Sequence, residues 1–164
     1  MASLDIKKME QRLKSVKAKD IMSRFAITIK ESETVINLAH LMMRFKISGV
    51  PVIDKNGEIC GITTATDLFN FMKGAIKDID KGDGISNYPE MQIGALMTKD
   101  VVTITEETTL YEIMKIMCEK NIHTLPVMVL SKKEIIGVIG RRDILNAFYV
   151  GIGSESKLGP KEGN

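Results

Sequence analysis

The sequence predicts a mixed α/β fold in which two copies of a strand–helix–strand–strand–helix unit pack face to face with pseudo-two-fold symmetry. The first observation behind this is a repeat held in register. Met22 recurs as Met97, Thr28 as Thr103, Thr34 as Thr109, Met42 as Met117, Ile47 as Ile122 and Pro51-Val52 as Pro126-Val127, each 75 positions later. After one extra residue in the second copy, Glu58-Ile59 recurs as Glu134-Ile135, Gly61 as Gly137, Asp67 as Asp143 and Asn70 as Asn146, now 76 apart. The second observation is that both copies carry the same succession of local signals. The third is size: a unit of about fifty residues buries too little surface to stand alone, so two must share a core.

Each element has its own warrant. Ala26-Ile27-Thr28-Ile29 and Val101-Val102-Thr103-Ile104 read as strands, followed by acidic residues and Thr34 or Thr108 as helix N-caps. Val35, Leu38, Ala39, Met42 and Met43, then Leu110, Ile113, Met114 and Met117, follow helical spacing, with the methionines as core. Val50 to Ile53 and Gly61 to Thr63 read as a hairpin across Asp54-Lys55-Asn56-Gly57, and Leu125 to Val129 with Ile135 to Ile139 as its counterpart. Pro51 and Pro126 are tolerable near a strand's start, where no N–H is needed. Helices over Asp67–Lys73 and Arg141–Tyr149 close the units. The expected organisation is an amphipathic helix within residues 1–16, repeats over 17–73 and 93–150, a polar linker over 74–92 and a loose tail over 151–164. Ile6, Met9, Leu13 and Val16 form the stripe of that first helix. It either packs on its own module, extends a dimer contact or lies on an acidic surface.

Composition excludes several classes. The chain has 164 residues, 44% hydrophobic and 27% charged, with a net charge of +2. Such a balance offers no long-range field for nucleic acid, so an anion site would be local and preorganised. Cys60 and Cys118 stand alone, without the spacing of a zinc site or a disulfide framework. No apolar stretch reads as a secretory signal or a membrane span, and the expected setting is cytoplasmic. Lys81-Gly82-Asp83-Gly84 has too few ligands for a calcium loop, and His40 has no assigned role.

Asp-Ile-Met-Ser, Ile-Thr-Ile, Ile-Ser-Gly-Val-Pro-Val-Ile-Asp and Gly-Ile-Thr-Thr-Ala-Thr-Asp-Leu follow one another between Asp20 and Leu68. Ala95-Leu96-Met97-Thr98, His123-Thr124-Leu125-Pro126-Val127 and Gly137-Val138-Ile139-Gly140-Arg141-Arg142-Asp143 follow in the second copy. This pattern resembles the cystathionine-β-synthase (CBS) domain, over roughly Val16 to Phe148. The resemblance implies a tandem pair, or Bateman module, that binds adenosine-containing ligands in clefts between its repeats and carries no catalysis.

Within that resemblance, Asp67 and Asp143 match a ribose-binding carboxylate at a helix start, where the helix dipole favours negative charge. The sugar motif is complete in Gly61 to Asp67, with Thr64 as hydroxyl partner, whereas Gly140 replaces that hydroxyl in the second copy. His123 matches a phosphate-facing histidine of the AMP-activated kinase γ subunit, and Arg142 a phosphate-binding lysine. Both would complete the Asp67 cleft, with Thr124 where that subunit has an arginine. Arg141 points about 100° away from Arg142 on a helix. Adenine would lie beside Val102-Thr103 and Ile122 in this cleft, and beside Ile27-Thr28 and Ile47 in the other. The second cleft would use Asp143, Ile47, Ser48, Gly49 and Thr28, and Ser48 supplies no charge.

Two functions follow as expectations. One is a regulatory, energy-sensing module that binds AMP, ADP, ATP or an S-adenosylmethionine-like ligand and signals to a separate effector protein. The other is a structural dimerisation module without nucleotide affinity. Both imply a homodimer, no required cofactor, no metal, no nucleic acid, no membrane and no enzyme chemistry.

Overall fold

A computed structural model describes the backbone of residues 6–153 and side chains through Val150. In the first repeat, β1 (Ile29–Lys30), α3 (Val35–Phe45), β2 (Gly49–Ile53), β3 (Ile59–Thr64) and α4 (Ala65–Lys81) follow two short leading helices, α1 (Ile6–Ser15) and α2 (Ala18–Ile21). In the second, a single 3-10 turn at Ile93–Ala95 leads into α5 (Leu110–Lys120), β4 (Thr124–Val129), β5 (Glu134–Gly140) and α6 (Arg141–Gly153). The fold is mixed α/β, with one sheet in the order β1-β2-β3 and another of β4-β5.

The hairpins form where turn chemistry places them. Asp54 Oδ1 accepts from the backbone N–H of Asn56 and Glu58, and Gly57 takes the positive φ of 82° that the tight turn requires. Pro51 and Pro126 sit inside β2 and β4, opposite Ile62 and Val138, and Pro126 still accepts from the N–H of Ile104.

Four elements differ from the sequence reading. First, the leading strand is short: only Ile29–Lys30 pairs, parallel to Val52–Ile53, and the second copy keeps a lone bridge from Ile104 to Val127. Residues 26–28 and 101–103 leave the sheets instead. Second, Thr109 rather than Thr108 caps α5, because Glu112 lies three residues on and returns to the Thr109 N–H. Third, Met42 and Met117 are core but Met43 is exposed. Fourth, the helix expected over Asp67–Lys73 continues to Lys81, through half of the stretch read as linker. Tyr88 folds back on it, its ring 5.0 Å from that of Phe71 and its hydroxyl donating to Asp78. Gly82, at φ 81°, then ends the helix in the left-handed conformation.

The two cores are completed by exchange. Ile93 of the second copy, with Leu96 and Met97 against it, belongs to the core of Leu38, Met42, Val50, Val52 and Leu68. Ala18, with Ile21 and Met22 against it, belongs to the core of Ile113, Met117, Leu125, Val127 and Ile139. Backbone bridges fix the crossings: Thr98 pairs with Ile62, and Ser23 with Val138. Two glycines make room. A Cβ on Gly137 would lie 2.8 Å from the Ser23 carbonyl oxygen, and one on Gly61 2.3 Å from Met97 Sδ.

The amino-terminal helix packs on α5 and α6, where Arg12 Nε donates to the Ala147 carbonyl at 3.4 Å. Lys17 and Lys19 both pair with Glu107. Hydrogen bonds from Lys17 and then Lys19 hold the Glu107 carboxyl down to about 2, against its ordinary 4.5. A depressed folded-state pKa contributes stability above the unfolded value and loses it as pH falls through the folded one, so the window runs from 4.5 to about 2. In acid titrations followed by circular dichroism at low salt, Glu107→Gln is expected to lose less stability across that window than the parent chain. Equal losses would remove this contact from the balance of folding. The pairs are half exposed, and added salt should shrink the difference.

Candidate functional site

Two cavities lie between the repeats, related by the internal symmetry. The smaller, about 240 Å³, is lined by Thr64, Thr66, Asp67, Ile122, His123 and Thr124, together with Thr98, Asp100, Val102 and Asn121. The larger, about 530 Å³, is lined by Gly140, Arg141, Arg142, Asp143, Ile47, Ser48 and Gly49, with Ser23, Phe25, Ile27, Phe45, Lys46 and Thr124. Eleven pairs of positions correspond between them, offset by 75 or 76. Three of those pairs set the difference: Phe25 against Asp100, Lys46 against Asn121, and Arg142 against Thr66. The first cavity thereby gathers two carboxylates. The second gathers Lys46, Arg141 and Arg142 around one carboxylate.

Both aspartates serve first as helix caps. Asp67 Oδ2 accepts from the Thr64 N–H at 2.7 Å and from the Thr64 hydroxyl at 2.9 Å. Asp143 Oδ2 accepts from the Gly140 N–H at 2.7 Å, with no hydroxyl beside it. In each case the capping bonds fall on Oδ2 while the residue also lines its cavity, so capping and ligand contact are compatible. Loss of the threonine at Gly140 removes one bond to the carboxylate and leaves Asp143 the freer acceptor.

Sequence-named residues fall out as follows. Thr64, Asp67, Ile122, His123 and Thr124 come together, as do Asp143, Ile47, Ser48 and Gly49. Arg142 does not join Asp67; it lines the Asp143 cavity, because it stands beside Asp143 in the first turn of the same helix. Arg141 lines that cavity too. Thr28 and Thr103 are not among the lining residues, and their neighbours Ile27 and Val102 take those places. His123 Nε2 donates to Asn121 Oδ1 at 3.2 Å. Thr124 is buried, and its side chain fills the space over Gly49, its own counterpart across the symmetry axis: a Cβ on Gly49 would meet Thr124 Oγ1 at 2.2 Å. The threonine is thus part of the seam between the repeats.

Phe25, Phe45 and Lys46 were not named by sequence reasoning. Phe25 is 93% exposed at the cavity wall, an unusual setting for a large ring in a folded chain. Lys46 holds the left-handed conformation, φ 53°, that ends α3 and turns the chain into the cavity. Among the described residues no cluster of His, Cys, Asp or Glu is suited to a metal ion, and no helix is long and apolar enough to cross a membrane.

Comparison with known proteins bears on the fold and the family. A homoserine O-acetyltransferase of Methanosphaera stadtmanae is 32% identical over 136 residues, 83% of this chain, and the chain spans about a quarter (25%) of that relative's length. Among solved structures, CBSX2 in complex with AMP is similar with a TM-score of 0.66 and 24% identity, over 82% of this chain and 96% of that one. The CBS domain pair of protein MJ0100, in complex with 5′-methylthioadenosine and S-adenosyl-L-methionine, is similar with a TM-score of 0.65 and 23% identity, over 81% of this chain and 95% of that one. The family model for the CBS domain matches residues 18–74 and again 93–150, two stretches that hold the repeat register and the lining of both cavities, and the chain belongs to the CBS domain family as a tandem pair.

Proposed function

We propose that this chain is a regulatory module that binds a phosphate-bearing adenosine ligand, AMP, ADP or ATP, in the Asp143 cavity. The observation that carries the reading is the convergence of Lys46, Arg141 and Arg142 with Asp143 and two aromatic rings around one cavity of about 530 Å³. That volume falls within the usual range of small-molecule sites, whereas 240 Å³ falls below it. Three cations give a phosphate group local, preorganised charge, which a chain of net charge +2 does not otherwise provide. In this reading Asp143, which spends one bond on the Gly140 N–H, would accept from ribose hydroxyls, and Phe25 and Phe45 would offer faces for a purine. The AMP bound by the similar CBSX2 structure supports the class of ligand. Binding would act by favouring one arrangement of the two repeats, to the extent of its differential affinity for it, and a separate effector would read the result.

Calorimetric titration of the chain with AMP, ADP, ATP, S-adenosylmethionine and adenosine tests this. The phosphorylated ligands are expected to bind more tightly than adenosine, with the gap narrowing as salt rises. Equal affinity for AMP and adenosine would remove the phosphate assignment. Silence from all five would favour a structural dimerisation module instead.

A further inference from the structure

A third cavity, of about 330 Å³, opens between α5 and α6 on the second repeat, apart from the two between the repeats. Its wall is aliphatic. Met117 is buried and Leu145 exposed, so the wall runs from floor to lip, with Met114, Ile122 and Ile144 half-buried between them. At ~30 Å³ for each water-sized group, the space takes on the order of ten non-hydrogen atoms, too few for a nucleotide.

Charge says what fits. The Asp67 and Asp143 cavities each hold an aspartate, whereas no acidic side chain lines this one and Arg141 does. Among the described residues no carboxylate pairs with Arg141. Asn121, also on the wall, accepts from His123 Nε2 through its Oδ1, which leaves its amide N–H groups as donors. Ala65 stands in the first copy where Arg141 stands in the second, so the cation is no by-product of the repeat. Arg141 is also shared: it lines both this cavity and that of Asp143, whereas Arg142, about 100° further round the helix, lines the Asp143 cavity and not this one.

We infer that this cavity is a site for a short aliphatic carboxylate of about eight carbons, its chain against Met117 and Leu145 and its head held by Arg141 and Asn121. A carboxylate there draws Arg141 from the Asp143 cavity, so its binding opposes that of a nucleotide phosphate. This second part rests on the nucleotide reading above, and the first does not.

Octanoate is the probe, and Cys118, an exposed thiol on the cavity wall, is the reporter. In a Cys60→Ser chain, where Cys118 is the remaining thiol, octanoate is expected to slow alkylation by iodoacetamide, with half-protection at the dissociation constant that calorimetry gives. Octylamine and octan-1-ol should bind roughly tenfold more weakly or worse, for want of the charge-assisted contact. Arg141→Gln is expected to weaken octanoate by a similar factor and octan-1-ol not at all. Leu145→Glu, at an exposed position, should weaken both, with circular dichroism confirming that each variant is folded. Titrated into the octanoate-loaded chain, AMP should bind more weakly and adenosine unchanged. Absence of protection at millimolar octanoate would overturn the site, as would equal protection by octylamine or an Arg141→Gln chain with undiminished octanoate affinity. So would a thiol that falls silent as protein concentration alone rises, since a second copy would then cover the mouth. A chain that takes octanoate but no AMP would sink the nucleotide reading and leave this site standing. AMP binding indifferent to octanoate would remove the competition for Arg141.

Discussion

Replacing Ile93 by alanine is expected to lower the stability of the whole chain by about 2–5 kcal/mol, the range for removing a large aliphatic side chain from a well-packed core. Ile93 is completely buried, yet the core it fills is that of the other repeat. Its N–H donates to the Glu33 carbonyl and that of Gly94 to the Glu31 carbonyl, both at 2.9 Å, so the segment is fastened by backbone as well as side chain. Because Ala18 makes the reciprocal crossing, neither repeat has a complete core by itself. Urea denaturation of Ile93→Ala, followed by far-ultraviolet circular dichroism, should therefore show one transition with a lower midpoint. Two separated transitions, or a loss below about 1 kcal/mol, would mean that the crossing segment is an appendage. Gly137→Ala bears on the same point, since its new methyl group would press on the Ser23 carbonyl and loosen the opposite crossing.

Arg142→Glu is expected to weaken AMP binding by at least 1.5–3 kcal/mol, roughly 10- to 150-fold, as a charge-assisted contact is replaced by a repulsive one. Adenosine should be nearly unaffected, because the change touches the phosphate end alone. Asp143→Ala should weaken both ligands, and Asp67→Ala neither, since Asp67 lines the smaller, acidic cavity. Titrations of the three variants against both ligands separate these roles. If Asp67→Ala were the damaging change, the nucleotide would belong in the smaller cavity. If Arg142→Glu weakened AMP and adenosine equally, Arg142 would be acting through the shape of the cavity.

Much of this architecture was readable in the residues. The register of Met22 with Met97, and of Pro51 with Pro126, reports the repeat, and Asn56-Gly57 specifies its hairpin by turn geometry alone. Both carboxylates were located by their place after a strand. The crossings were not legible, because Ala18–Met22 and Ile93–Met97 span barely one helical turn each and carry no periodicity that names a partner sheet. Nor was the full length of α4. Lys77, Asp78, Asp80 and Lys81 read as linker composition, while the helix that runs through them is met by Tyr88, at the Phe71 ring and at Asp78, a contact that no local spacing announces. The contrast between the cavities lay within reach: comparing Lys46 with Asn121 and Phe25 with Asp100, rather than Ser48 with His123 alone, exposes the difference in charge.

The exchange of leading segments also governs how the chain is made. As synthesis proceeds from the amino terminus, residues 18–81 emerge with a hairpin and three helices but without Ile93, so the first core stays open until the second copy has begun. Ala18 and Met22 wait longer, for β4 and β5, which lie more than a hundred residues downstream. A nascent chain that stops short of Ile93 therefore exposes two unfinished apolar surfaces, and it is there that a chaperone would have most to cover. Final closure belongs to the last third of the sequence, and contacts of such long sequence separation set a slower folding rate than the helices alone would suggest.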